Sequence, residues 1–340
     1  MTGMCKKTMD FISLKSTTVN SVSLKNIERH TEANACIVLQ YNRIALLCHD
    51  PLQLAVEPWK FEEQMAYLAY NFNVISISEM KRHLETAKPF RERTAAVTFD
   101  GGYTDILYTA KEVLERYELP ATAFVNSAGI IEEKQFWWDE LENLLIANHS
   151  YGQLQIEMQD SVCCWSLNTE YDRFQAYEDL FEILSNKTPA EQKMIMEQIR
   201  MKTNMRAGEF DGHRTMNAQE LKELEKGGLI TIGGHTHNCV KLSSLAKWQQ
   251  VEEISKNKSI LEEVLGHRVE YFSYPFGSEC VCMGDTEDIL EDCGYSLAFG
   301  NSHGTIKSVG EINHYDLPRV KIGNCNQFVF HKYLNNFSSK

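Results

Sequence analysis

The 340-residue chain has no run near the roughly 20 apolar residues that a bilayer-spanning helix needs, so no such helix is expected in it. It is short of positive charge: 34 Lys and Arg stand against 47 Asp and Glu, for a net charge of −13. Nucleic acid and anionic membrane surfaces are therefore not expected partners, and the excess acid reads as a solvated surface. No internal repeat or low-complexity tract appears. Basic residues near Met1-Thr2-Gly3-Met4-Cys5-Lys6-Lys7 are not followed by an apolar h-region, so a secretory signal is not expected. Residues 1–34 read as a leader, mobile or loosely docked. The ten cysteines show no disulfide framework: Cys163 and Cys164 are adjacent, and Cys280-Val281-Cys282 is tighter than a C-x-x-C knuckle. A reducing, cytoplasmic protein is the expectation.

Two stretches share one grammar. Ala95-Ala96-Val97-Thr98-Phe99 is a small and β-branched apolar run that ends in Asp100-Gly101-Gly102. It predicts a buried strand that delivers a carboxylate to a tight strand-end turn. Leu229-Ile230-Thr231-Ile232-Gly233-Gly234 likewise delivers His235, His237 and Cys239. A carboxylate at one strand end with imidazole and thiol at another suggests a metal site or its remnant.

Around these runs the pattern alternates. Ala35 to Ile44 predicts a first strand, and Phe61, Met65, Leu68 and Phe72 mark one face of a helix after Pro58. Short strands at Asn73–Ser76, Ala95–Phe99, Ala121–Val125 and Val269–Tyr274 are separated by helical patterns. Asn217 reads as a helix cap, and Gly266 and Gly294 as helix stops. This β-α rhythm predicts an α/β protein with parallel strands and crossover helices. Residues 132–215 break the rhythm, with helical segments and a Leu154–Leu167 hairpin pattern. They read as a mainly helical insertion in a barrel spanning 35–335.

Thr98-Phe99-Asp100-Gly101-Gly102 resembles the T-F-D-D-G motif of the polysaccharide deacetylases, the NodB-homology enzymes of carbohydrate esterase family four. His235-Thr236-His237-Asn238-Cys239 resembles their H-[S/T]-x-x-H motif. Val38-Leu39-Gln40-Tyr41-Asn42-Arg43-Ile44, Phe136-Trp137-Trp138-Asp139-Glu140-Leu141, Tyr271-Phe272-Ser273-Tyr274-Pro275-Phe276-Gly277 and Asp316-Leu317-Pro318-Arg319-Val320 resemble further segments of one subgroup, in the same order. The resemblance covers roughly residues 37–335. It implies a distorted (β/α) barrel of about seven strands and hydrolysis of the N-acetyl amide of a sugar or glycan, with a divalent metal, nominally zinc, as cofactor. It also implies roles: Asp100 as general base, His235 as metal ligand, Tyr274 at the wall of the substrate groove, and Arg319 beside a carboxylate and the substrate.

The departures fall on the metal. The second Asp of the family motif is Gly101, the second His ligand is Cys239, and the opening Y-H-R histidine is Asn42. Cys239 is a competent ligand as thiolate and equally a small buried hydrophobe. His237 shares a face with His235 in extended backbone and offers a substitute ligand. Asp105 reads as a cap or solvated residue of the next helix. His303 and His314 align with no family motif. Weak or absent metal is expected, because two ligands hold a divalent ion poorly. Gly101→Asp with Cys239→His would complete a three-ligand set, provided Gly101 does not require positive φ. The alternatives are a weakened or inactive relative that binds carbohydrate or serves assembly, and an enzyme of altered, metal-independent chemistry.

Overall fold

A computed structural model describes residues 34–132, 135–147, 152–158, 161–203, 214–277 and 284–338. The expected leader and Cys280-Val281-Cys282 lie outside them. Seven parallel strands form the frame: β1 (Ala35–Tyr41), β2 (Thr94–Gly101), β3 (Ala121–Val125), β4 (Ile230–Gly234), β5 (Tyr271–Ser273), β6 (Leu297–Phe299) and β7 (Val320–Lys321). They pair in sequence order from β1 to β6, and β7 returns to pair with β1. The sheet curls because the segment before β7 also bridges to β6, with Leu317 opposite Phe299. The result is the expected distorted (β/α) barrel.

Every residue of β2 is buried, as a strand covered on both faces requires. Side chains alternate across it. Ala95, Val97 and Phe99 pack outward under the helices. Ala96 joins the barrel interior with Val38, Phe124, Leu297 and Phe299. The same period puts Thr98 and Asp100 inside, one and two steps nearer the mouth. On β4 the inward position before His235 is Gly233, where a Cβ would lie 2.4 Å from the Phe124 ring. A side chain there would displace the interior packing that fixes this strand end.

The helices follow their sequence signals. Pro58–Asn71 carries proline in its first turn and buries Phe61, Met65 and Leu68. Asn217 caps Ala218–Glu225 in a reciprocal capping box with Glu220. Gly266 ends Lys247–Leu265 in the left-handed region. The first strand is shorter than its apolar run: Arg43–Ile44 leaves β1 and pairs instead with Ala55–Val56. Among the described residues no helix is long and apolar enough to cross a membrane.

Between β3 and β4 the chain leaves the barrel. Trp137–Glu142, Glu170–Ser185 and Pro189–Thr203 are helical, and Gln153–Glu157 pairs antiparallel with Val162–Ser166. Alternate burial along Gln153–Glu157 gives that hairpin one dry face. Leu145, Ile156, Tyr177, Leu180 and Ile199 form a second core there. An aromatic cluster of Tyr103, Phe136 and Trp138, with Cys239, joins this excursion to the barrel mouth.

Candidate active site

The C-terminal ends of the strands surround a cavity of ≈ 220 Å³. Asn42 enters it after β1, Asp100 and Gly101 at the end of β2, His235 after β4, Phe276 after β5, Asn301 after β6 and Lys321 from β7. This is the end of a β/α barrel where loops of different strands meet. Trp138 and Phe181 of the excursion add an aromatic wall. Asp100 and His235 thus stand in one pocket.

Asp100 is fully engaged. Arg319 donates to it through two nitrogens, Nη1 to Oδ1 and Nη2 to Oδ2, each at 2.7 Å. Gln40 Nε2 donates at 3.0 Å, and the Ser273 hydroxyl lies 3.2 and 3.3 Å from the two oxygens. A carboxylate has about four lone-pair sites, and the protein fills them. Burial opposes the charge, but Arg319, His235 and these hydrogen bonds prevail and hold the pKa below the ordinary aspartate value. Arg319, itself buried, also donates to Gly300 O, Ser273 Oγ and Asn301 Oδ1. It positions Asp100 and does not line the cavity.

His235 is oriented from both sides. Its backbone N–H donates to Asn257 Oδ1 at 3.1 Å, and its Nδ1 lies 2.9 Å from the Ser273 carbonyl. A carbonyl only accepts, so Nδ1 carries the proton and Nε2 keeps its lone pair. No described residue bonds to Nε2. Burial, with Arg319 nearby, lowers the pKa of the ring against the opposing pull of Asp100. The imidazole is neutral at pH 7.

The other expected ligands are not delivered. His237 lies outside the cavity, with Nδ1 2.8 Å from Ser127 Oγ. Cys239 reaches the cavity from within the aromatic cluster. Burial first, then Asp100, Glu253 and Asp139, push its thiol well above the ordinary value, so it is protonated rather than thiolate. Gly101 has φ +106°, and a Cβ there would sit 3.2 Å from the Tyr103 ring. Among the described residues no three His, Cys, Asp or Glu side chains converge as a metal site. A three-ligand divalent ion does not fit this donor set; His235 Nε2 is the one ready donor.

Two further expectations need correction. Tyr274 is buried in the outer core and donates its hydroxyl to Tyr315 O at 2.7 Å; the groove wall is Phe276, two residues on. Asp105 stands at the N-cap position of the helical segment Ile106–Ala110, but its side chain makes no cap hydrogen bond. It accepts from Arg43 Nε and from the Ile44 N–H, both at 2.9 Å, and so anchors the chain leaving β1. Cavity residues not singled out from sequence include Gln40, Trp138, Phe181, Phe276, Asn301 and Lys321. The inward period Val38-Gln40-Asn42 and the alternation Arg319-x-Lys321 were the available signals.

The histidines make stability acid-sensitive. His237, held at about 4 by burial and then by Lys256, and His235, also lowered, stay neutral in the fold while the unfolded chain protonates near 6.5. The unfolded state then binds more protons, so stability is full above about pH 6.5 and falls as pH drops toward 4. Urea midpoints between pH 7.5 and 4.5 are expected to decline. His237→Asn should flatten that decline, and an unchanged slope in the variant would refute the assignment.

The comparisons with known proteins agree with this architecture. A family profile described as polysaccharide deacetylase matches residues 87–199 and 186–298. No curated protein matches the chain. Among solved structures, the deacetylase PplD of Streptococcus pyogenes, in complex with acetate, is similar with a TM-score of 0.58 at 16% identity, covering 91% of this chain and 100% of that one. IcaB from Ammonifex degensii gives 0.56 at 16% identity, covering 91% and 99%. A de-N-acetylase from Aggregatibacter actinomycetemcomitans gives 0.56 at 14% identity, covering 88% and 99%. At such identities these structures establish the fold alone. The profile match, which takes in Asp100, Tyr103 and His235 and runs over more than half of the sequence, places the chain in the polysaccharide deacetylase family.

Proposed function

We propose that the cavity receives an N-acetylated sugar of a glycan and that hydrolysis of the N-acetyl amide, to acetate and a free amine, is the reaction served by this site. The observation that carries the reading is the open Nε2 of a neutral His235 beside Asp100, in a cavity of ≈ 220 Å³ walled by Trp138, Phe181 and Phe276. Aromatic faces suit the C–H faces of a sugar ring, and the cavity is of the scale of one such ring. His235 Nε2 can accept a proton from an attacking water. Asp100 can do so only by giving up one of its present hydrogen bonds. A divalent metal belongs to the family's chemistry, but the described residues supply one ready donor for it, His235 Nε2. A cytoplasmic setting is part of the same proposal; the seven described cysteines are free thiols.

A second reading is favoured by the filled lone pairs of Asp100 together with the missing side chain at Gly101: recognition of the acetylated sugar with little or no turnover. Acetate release from N-acetylglucosamine oligomers, measured beside binding by calorimetry, separates the two. Under the first reading release is expected above the uncatalysed background, and His235→Gln abolishes most of it with roughly 10²–10⁴-fold loss. Binding without release selects the second reading. Neither binding nor release refutes both.

A further inference from the structure

The barrel mouth carries a cation that this chemistry leaves unused. Lys321 pairs in register with Gln40 of β1. Val320, between Arg319 and Lys321, packs into the outer core, so both basic residues point inward. Arg319 faces the buried layer with Asp100. Lys321 stands two residues nearer the mouth and lines the cavity. Among the described residues its ammonium forms no hydrogen bond or ion pair.

The neighbouring carboxylates already have hydrogen-bond partners. Asp100 is neutralised by the two-pronged contact with Arg319. Asp50, the other carboxylate that acts on Lys321, accepts from the Leu54 and Ala55 N–H groups. Lys321 is solvent-exposed, and partial desolvation at the cavity lowers its pKa against the pull of Asp50 and Asp100. Lys321 is thus a basic side chain on the wall of a cavity whose lining carboxylate, Asp100, is already paired with Arg319. Asn301 accepts from Arg319 through Oδ1, which leaves its NH₂ group as a donor beside the cavity. An ammonium and an amide N–H at one wall call for acceptor oxygens on the ligand.

We propose that Lys321 anchors a carboxylate in this cavity, carried either by an acidic N-acetylated sugar or by the acid released from an N-acyl group. The first source rests on the sugar-binding reading; the anchor itself does not. The ammonium supplies one long, adjustable point charge at the cavity wall.

Wild type, Lys321→Met and Lys321→Arg are titrated with sodium acetate, N-acetylmuramic acid and N-acetylglucosamine by NMR and calorimetry at two salt concentrations. Lys321→Met is expected to weaken both carboxylates by about tenfold or more, as for loss of a charge-assisted hydrogen bond. It should leave N-acetylglucosamine within about threefold, and Lys321→Arg should retain carboxylate binding. Preference of the wild type for N-acetylmuramic acid over N-acetylglucosamine identifies the acidic sugar as the source; saturable acetate without that preference identifies the released acid. Acetate binding with no sugar binding keeps the anchor and refutes the sugar reading. Equal carboxylate affinity in wild type and Lys321→Met, or no saturable carboxylate binding, overturns the anchor. Thermal melting checks each variant, and Lys321→Met should melt like wild type because the side chain forms no described hydrogen bond or ion pair.

Discussion

Arg319→Met is expected to destabilise the protein by about 3–5 kcal/mol, the cost of leaving one member of a buried ion pair without its partner. Arg319 is 1% exposed and Asp100 3%. Both guanidinium Nη atoms bind Asp100, and the remaining donors hold Gly300, Ser273 and Asn301. The substitution therefore unties the ends of β2, β5 and β6 together. It also reverses the pH response of Asp100. In the wild type the lowered pKa gives stability that is present above about pH 3.8 and is lost as pH falls through the folded value. Without Arg319 the burial penalty prevails and raises the carboxyl above its unfolded value. The stability of the variant then falls as pH rises from about 3.8 through the folded pKa. Asp100→Leu with Arg319→Met removes both charges and should be less damaging than Arg319→Met alone. Urea unfolding of the three proteins from pH 4 to 8 checks this. A loss under about 1 kcal/mol for Arg319→Met, with no change in pH slope, would show the pair to be peripheral.

The barrel was legible because parallel strands covered on both faces leave continuous apolar runs, as in Ala95–Phe99, and because the two runs that carry the site ended at Asp100 and at Gly233-Gly234. The excursion was legible by contrast, where that alternation stopped. The site was legible only where a motif coincided with the inward period. Asp100 and His235 are inward residues at strand ends, and both enter the cavity. Tyr274 lies in a family-like motif, but its ring turns outward, and nothing in Tyr274-Pro275-Phe276 says which aromatic faces the groove. The saturation of Asp100 was hidden for a different reason. Gln40, Ser273 and Arg319 are remote in sequence, and only the register of β1, β2, β5 and β7 brings their donors to one carboxylate. Cys239 and Lys321 needed their surroundings too, since burial decides that the thiol stays protonated and strand alternation that the ammonium faces in.

Gly101→Asp would restore the family's second carboxylate in sequence, but it is expected to destabilise the fold by about 1–3 kcal/mol without creating a metal site. Gly101 has φ +106°, a conformation that L side chains rarely adopt. Its Cβ would also meet Tyr103 Cε2 at 3.2 Å and Cδ2 at 3.3 Å. The ring has little room to yield. Its hydroxyl donates to Asp139 Oδ2 at 2.8 Å and accepts from Trp138 Nε1 at 2.9 Å. Arg43 stacks on one face at 4.3 Å from the centroid, and Phe136 packs at a centroid distance of 4.9 Å. Gly101→Ala bears the same backbone strain and the same contact without the carboxylate, so it should lose nearly as much stability. Adding Cys239→His places a larger ring in the cluster with Tyr103, Phe136 and Trp138, where overpacking costs about a further 1–3 kcal/mol. Calorimetric titration with zinc, nickel and cobalt is expected to show no stoichiometric binding by the double variant. Tight binding at one ion per chain, with the stability of the wild type retained, would mean that the Tyr103 cluster yields readily, and that His235 needs only its two missing partners to hold a metal.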